Sequence, residues 1–282
     1  MNDPITQLIA REELPEDYAQ IVEKHWKPLA TKIARRAADR KPLIVGINGA
    51  QGSGKTTVCK VLEILLKQRG LRALTLSLDD LYLTYAERLQ LAAEVHPLFA
   101  TRGVPGTHAV AMGFAIIEDV LAGRAFEIPK FDKSYDDRSN ELTRVSGPVD
   151  VLLFEGWCVG AAAQPPEKLR RPINVLESEE DPDAIWRTLV NHWLGEDYSR
   201  LFALIDMLVM LKVDHFDAVL ANRRKQEEKL AAMNPLGPGV LDEDALIRFV
   251  SHYERLTRHM LDEMPERADV VIEIDRSQTP QP

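Results

Sequence analysis

Uninterrupted apolar runs alternate with helically spaced apolar positions along the 282-residue chain. The runs are LIVGIN (43–48), LRALTLS (71–77), VDVLLFEG (149–156), DMLVMLKV (206–213) and DVVIEID (269–275). Each is short and rich in Val, Ile and Leu, the pattern of a strand buried on both faces. Between them, apolar spacing predicts helices over 55–69, 84–95, 109–122, 183–204, 215–232 and 242–262. Gly70 and Gly123 stand where two of these helices should end. FEIPKFD (126–132) reads as a short strand or extended piece, followed by a polar loop to Pro148. Residues 157–182 read as loop, and the Pro/Gly-rich NPLGPG (234–239) separates the last two helices.

Ahead of the first run, Tyr18, Val22, Trp26, Leu29 and Ile33 fall on one face of an amphipathic helix within 14–40, stopped near Pro42. Residues 1–42 are therefore expected to form a helical N-terminal extension, 43–276 the main domain and 277–282 a disordered tail. Strands alternating with helices predict an α/β fold, a parallel sheet flanked by helices on both sides. In such sheets ligand-binding loops lie at the carboxyl ends of the strands.

Gly49-Ala50-Gln51-Gly52-Ser53-Gly54-Lys55-Thr56 follows the first run and fits G-x-x-x-x-G-K-[ST] in full. Its glycines let the backbone turn tightly, and successive amides together with the next helix's N-terminus offer a cradle for phosphate. Lys55 is expected to reach the β- and γ-phosphates of ATP, and Thr56 to coordinate Mg²⁺. Thr57 continues the helix beside the loop. A strand before and a helix after the motif make this a P-loop NTPase-type sheet, with insertions that serve as lid and substrate loops.

Acids stand at the ends of two more runs. The second run ends in Leu78-Asp79-Asp80-Leu81-Tyr82, which places Asp79 beside the phosphate loop to accept the proton of an acceptor hydroxyl, with Asp80 and Tyr82 nearby. The alternative for both acids is capping of the next helix. The third run ends in Phe154-Glu155-Gly156-Trp157, an apolar strand finishing in an acid, which suits Glu155 to Mg²⁺; Trp157 reads as wall packing. Between Tyr82 and Gly147, cations sit next to Gly and Pro, and Arg102, His108, Lys133 and Arg138 are candidates for gripping a substrate carboxylate. In Asn222-Arg223-Arg224-Lys225, Arg223 is the candidate for a lid contact to ATP, although neighbouring cations on a helix cannot all face one ligand.

Charge narrows the function classes. Lys and Arg total 35 against 44 Asp and Glu, a net charge of −9, which argues against nucleic-acid binding but leaves room for a local basic pocket. No apolar stretch is long enough for a membrane span, and the N-terminus lacks a secretory core. The two cysteines, Cys59 and Cys158, are no disulfide framework, and the expected compartment is the cytoplasm.

GINGAQGSGKTT, LSLDDLYLT, HPLFATRGVPGTH, PKFDKS and LLFEGWCVG resemble the D-glycerate 3-kinases of plants and fungi with their bacterial relatives, within the wider phosphoribulokinase, uridine kinase and pantothenate kinase group. The likeness runs from about residue 43 to 275. The phosphate loop is shared widely, so RGVPGTH and FEGWCVG carry the resemblance. It implies an ATP- and Mg²⁺-dependent kinase that makes 3-phosphoglycerate from D-glycerate. Asp79 matches the base position, with Leu81 where the group usually has Phe, and Glu155 matches the strand-end acid. The competing expectations are a kinase for a nucleoside, pantothenate or a sugar phosphate, and an ATP-binding regulatory protein without turnover.

Overall fold

The computed structural model describes residues 3–233, 243–275 and 278–281, with side chains omitted over 225–233. The expected loop at 234–239 lies outside the described residues. Helices α1 (Pro4–Arg11), α2 (Tyr18–Ile21) and α3 (Lys27–Asp39) open the chain, with a π turn at Val22–Trp26 joining the last two. Strand β1 (Leu43–Gly49) runs through the phosphate loop into α4 (Lys55–Lys67), and β2 (Ala73–Ser77) follows. After a 3-10 turn at Leu78–Leu81 come α5 (Tyr85–Glu94) and α6 (Val110–Leu121), then β3 (Phe126–Asp132) and β4 (Asp137–Val145). Strand β5 (Val151–Gly156) leads to α7 (Val175–Glu179), α8 (Ile185–Trp193) and α9 (Ser199–Phe202). Strand β6 (Met207–Val213), α10 (Phe216–Met233), α11 (Glu243–Glu263) and β7 (Val270–Ile274) complete the order.

The five apolar runs make one parallel sheet in the order β2-β5-β1-β6-β7. Every residue of β1 and β5 is buried, as runs without polar alternation require. Alternate side chains feed two apolar layers. Ile44, Leu152, Phe154 and Met210 face α6, α9 and part of α11, where Ile117, Leu201 and Tyr253 meet them. Val45, Ile47, Leu153 and Val209 face the opposite layer, which holds Val58, Leu62 and Leu65 of α4 and Val219 of α10. Leu29 and Ile33 of α3 belong to this second layer, so the N-terminal helices bury the outer face of α4.

Three segments differ from the sequence expectation. The polar loop expected before Pro148 contains β4, which pairs antiparallel with β3 from Phe126↔Val145 to Asp132↔Asp137. Most of β4 is exposed, so it carries no apolar period for a sequence reading to detect. Residues 157–182 include α7, capped by Asn174, whose Oδ1 accepts from Glu177 N at 3.0 Å. Residues 278–281, expected to be disordered, return along β7: Gln281 N donates to Glu273 O at 2.8 Å and Asp275 N to Thr279 O at 3.0 Å. The unpaired backbone at the edge of β7 supplies the partners.

The segment RGVPGTH is packed to the backbone. Gly106 has φ +101°, and a Cβ there would lie 2.0 Å from Trp193 Cε3. Gly106→Ala should destabilise the fold by about 3 kcal/mol, combining left-handed strain with overpacking. Chemical denaturation measures this, and an unchanged midpoint would contradict the packing described.

Candidate active site

Register brings the functional strand ends together. Glu155 lies beside Ile47 of β1 on one side and Ser77 of β2 on the other. The phosphate loop leaves β1 just beyond this line. Gly49 is closely covered: a Cβ there would fall 2.4 Å from Ser53 Oγ and 3.1 Å from Leu211 Cβ, so a side chain would force the loop to rearrange. Gly52 and Gly54 have φ +75° and +85°, the left-handed turns that aim successive amides inward. Gln51 Oε1 and Ser53 Oγ are buried and find no hydrogen-bond partner among the described residues. The Ser53 hydroxyl, an unspent donor in a glycine cradle, fits a polyphosphate oxygen. Lys55 Nζ folds back on the loop, donating to Gly49 O at 2.7 Å and Ala50 O at 3.2 Å. Burial lowers its pKa, while Glu155 and Asp79 act in the opposite direction.

Glu155 Oε1 accepts from Ser77 Oγ at 3.0 Å and Thr56 Oγ1 at 3.3 Å. Burial pushes the Glu155 carboxyl up, with Lys55 opposing. A hydroxyl and a carboxylate this close are a hard-oxygen pair suited to Mg²⁺, whose other ligands would be phosphate oxygens and water.

The loop opens into a cleft of about 670 Å³ lined by Gln51, Gly52, Gly54, Lys55, Thr56 and Thr57. Asp79, Asp80 and Tyr82 line its far side, with Arg102, Lys133 and Trp157. Asp79 Oδ1 accepts from Tyr82 OH at 2.8 Å and Oδ2 pairs with Lys133 Nζ at 2.6 Å. Burial pushes this carboxyl up, but Lys133, the Tyr82 hydroxyl and Lys55 outweigh it and hold the pKa at about 2. Asp80 acts on the hairpin instead. Its Oδ1 accepts from Phe131 N at 3.1 Å and ties β3 and β4 to the site. Neither acid caps α5, which begins with Thr84 and Glu87 in a reciprocal capping box.

Arg102 reaches the cleft from a braced position. Its guanidinium pairs with Asp136 and lies 5.5 Å above the Phe131 ring, and its carbonyl accepts from Tyr253 OH at 2.7 Å. The fully buried Arg88 holds the other oxygen of Asp136 at 3.0 Å.

Two candidates for the carboxylate grip do not line the cleft. His108 is buried behind Tyr82, its ring stacked at 4.7 Å and its Nδ1 2.6 Å from Tyr198 OH. Burial lowers its pKa to about 3, and a neutral imidazole offers an anion no charge. Arg138 donates from Nη2 to Tyr82 O at 2.8 Å and so supports the segment from outside. At the lid, Arg223 lines the cleft, 5.1 Å above the Phe249 ring, whereas Arg224 pairs with Glu243.

The cleft also contains residues that sequence reasoning does not select: Ser77, Asn222, Phe249, Tyr253 and Gln278. Ser77 directly precedes the Leu78-Asp79 segment and Asn222 precedes Arg223, so proximity to a motif was the available signal. Phe249 and Tyr253 are four residues apart on α11 and read as ordinary core from sequence. The Trp157 ring packs 4.8 Å from Tyr253, and its Nε1 donates to Thr257 Oγ1 at 2.9 Å, in keeping with a wall role.

The chain is similar to known kinases. The chain is 34% identical over 227 residues to the uncharacterized kinase mug58 of Schizosaccharomyces pombe, covering 76% of this chain and 79% of that protein. It is 27% identical over 261 residues to the chloroplastic D-glycerate 3-kinase of Arabidopsis thaliana, covering 86% of this chain and 54% of that protein's length. Among solved structures, D-glycerate 3-kinase from Cryptococcus neoformans superposes with a TM-score of 0.75 at 25% identity, covering 92% of this chain and 98% of that one. No protein-family model matches the chain. No helix among the described residues is long and apolar enough to cross a membrane.

His108 gives the site a measurable acid sensitivity. Its folded pKa of about 3 lies below the 6.5 of a free imidazole, so the unfolded chain binds the proton that the folded one refuses. Stability should fall as pH drops from 6.5 towards 3, and His108→Gln should flatten that slope in denaturation midpoints measured across the range. An identical slope in the variant would place the neutral imidazole elsewhere.

Proposed function

Since the chain belongs to the P-loop kinase family that includes D-glycerate 3-kinase, and is thus a phosphotransferase with a hydroxyl acceptor, we propose that it transfers the γ-phosphate of ATP to D-glycerate, giving 3-phosphoglycerate. One observation carries the reading beyond the family: Asp79 and two cations, Lys133 and Arg102, line the same cleft as the phosphate loop.

In the proposed reaction the loop amides and Lys55 hold the β- and γ-phosphates, for which Lys55 Nζ leaves the Gly49 and Ala50 carbonyls. Mg²⁺, held by Thr56 and Glu155, supplies charge neutralisation at the phosphate oxygens when bound. Asp79 aligns the acceptor hydroxyl. The hydroxyl oxygen bonds to the γ-phosphorus, the bond to the β,γ-bridging oxygen breaks, the proton passes to Asp79 and ADP leaves. A carboxyl held at about 2 is a weak base, which suits a loose transition state that demands orientation more than proton abstraction. The acceptor carboxylate competes with Asp79 for Lys133 and with Asp136 for Arg102. As Lys133 turns to the substrate, burial acts on Asp79 with less opposition and its basicity rises.

The same two cations favour an acidic acceptor over an uncharged nucleoside. Incubation with ATP and D-glycerate, followed by product mass, tests the reading; turnover of nucleosides but not of glycerate would reject it. Asp79→Asn should retain ADP binding and lose activity by about 10²–10⁴-fold, checked by steady-state kinetics and calorimetry. Near-normal turnover would remove Asp79 from the proton-accepting role. Lys133→Met should move the acid limb of the kcat/KM profile to higher pH, because it removes the main charge holding Asp79 down. An unmoved limb would dissociate Lys133 from the reacting carboxylate.

A further inference from the structure

Sheet order gives the cleft a direction. Asp79 stands beyond β2 at one edge, the phosphate loop rises from β1 in the middle, Asn222 follows β6 on α10, and Gln278 follows β7 at the opposite edge. With the γ-phosphate turned towards Asp79, the nucleoside of the donor extends the other way, over β6 and β7. Gln278 lines the cleft at that end.

A continuous set of contacts links Gln278 to the phosphate loop. Its Nε2 donates to Asn222 Oδ1 at 3.3 Å. Asn222 is 2% exposed and abuts Gly52, where an added Cβ would lie 2.6 Å from Asn222 Cβ. The strap that presents Gln278 is itself pinned. Thr279 N donates to Asp275 Oδ1 at 2.9 Å, Gln281 Nε2 to Asp275 Oδ2 at 2.7 Å, and Ile274 bridges to Pro280. Gln278 has φ +65°, a conformation costly for a residue with a side chain. The surrounding hydrogen bonds impose that turn and direct the carboxamide.

We propose that Gln278 determines the specificity of the phosphoryl donor, contacting the polar edge of its purine as part of a base subsite walled by the C-terminal strap and Asn222. With Nε2 given to Asn222, Oε1 is the group left for a ligand, and it can only accept. An acceptor matches the exocyclic amino group of adenine and faces a second acceptor, the carbonyl oxygen, in guanine. The inference rests on the ATP-donor reading above and adds to it the residue that selects the base.

Calorimetric titration of the full chain with ADP, GDP and tripolyphosphate tests this without depending on the acceptor. Gln278→Gly removes the carboxamide while glycine takes the positive φ without strain, so the strap is preserved. The wild-type chain should bind ADP more tightly than GDP. In Gln278→Gly, ADP binding should weaken about fivefold to tenfold, GDP and tripolyphosphate should change little, and the preference should largely vanish. A variant that binds ADP as the wild type does, with the preference intact, overturns the inference and leaves the donor reading standing. A wild-type chain that binds neither ADP nor tripolyphosphate brings down the donor reading, and the inference with it.

Discussion

Parallel pairing of β5 between β1 and β2 is the constraint on which the rest of the site depends. It sets Glu155 level with Ile47 and Ser77, so the phosphate loop, the strand-end acid and the Asp79 segment emerge side by side at the carboxyl ends of three neighbouring strands. A slip of one residue would turn Glu155 into an apolar layer and expose Phe154 or Gly156 in its place. Continuous burial on both faces of β1 and β5 prevents that slip, since each side chain belongs to one of two packed layers. Site geometry is therefore a by-product of core packing.

The proposed acceptor side follows a different logic, in which charges satisfy one another in the empty cleft. Lys133 meets Asp79, Arg102 meets Asp136, and Arg88 anchors Asp136 from the interior. Lys133 is largely exposed and Asp136 partly so, which makes exchange of one carboxylate for another inexpensive at these two cations. A substrate carboxylate would make such an exchange, so a cleft rich in charge can be stable when empty and still receptive. Arg88 would keep Asp136 anchored if Arg102 changed partner.

The sheet and phosphate loop were legible in the sequence because its apolar runs are too apolar for loops and too short for buried helices, and the GINGAQGSGKTT loop follows one of them directly. The boundaries of β3, α5 and α6 followed from spacing and from the glycine at 123. β4 was hidden because a polar, exposed strand has no hydrophobic period. Charge was legible but burial was not: His108 and Arg138 carry the right groups, yet tertiary packing puts one behind Tyr82 and the other against its backbone. Tyr253 lies 151 positions from Arg102 in sequence, and only the folded chain shows that its hydroxyl holds the Arg102 carbonyl.

The Asp79–Lys133 pair has a consequence for the unproductive side of the proposed chemistry. A nucleotide-loaded kinase waiting for its second substrate is exposed to water, which can attack the terminal phosphate as any alcohol can. With both oxygens of Asp79 engaged, one by Tyr82 and one by Lys133, that carboxylate has little freedom to orient a solvent molecule. A ligand that draws Lys133 aside would release it, so under the proposed mechanism idle hydrolysis would be suppressed by the same contact that the correct acceptor undoes.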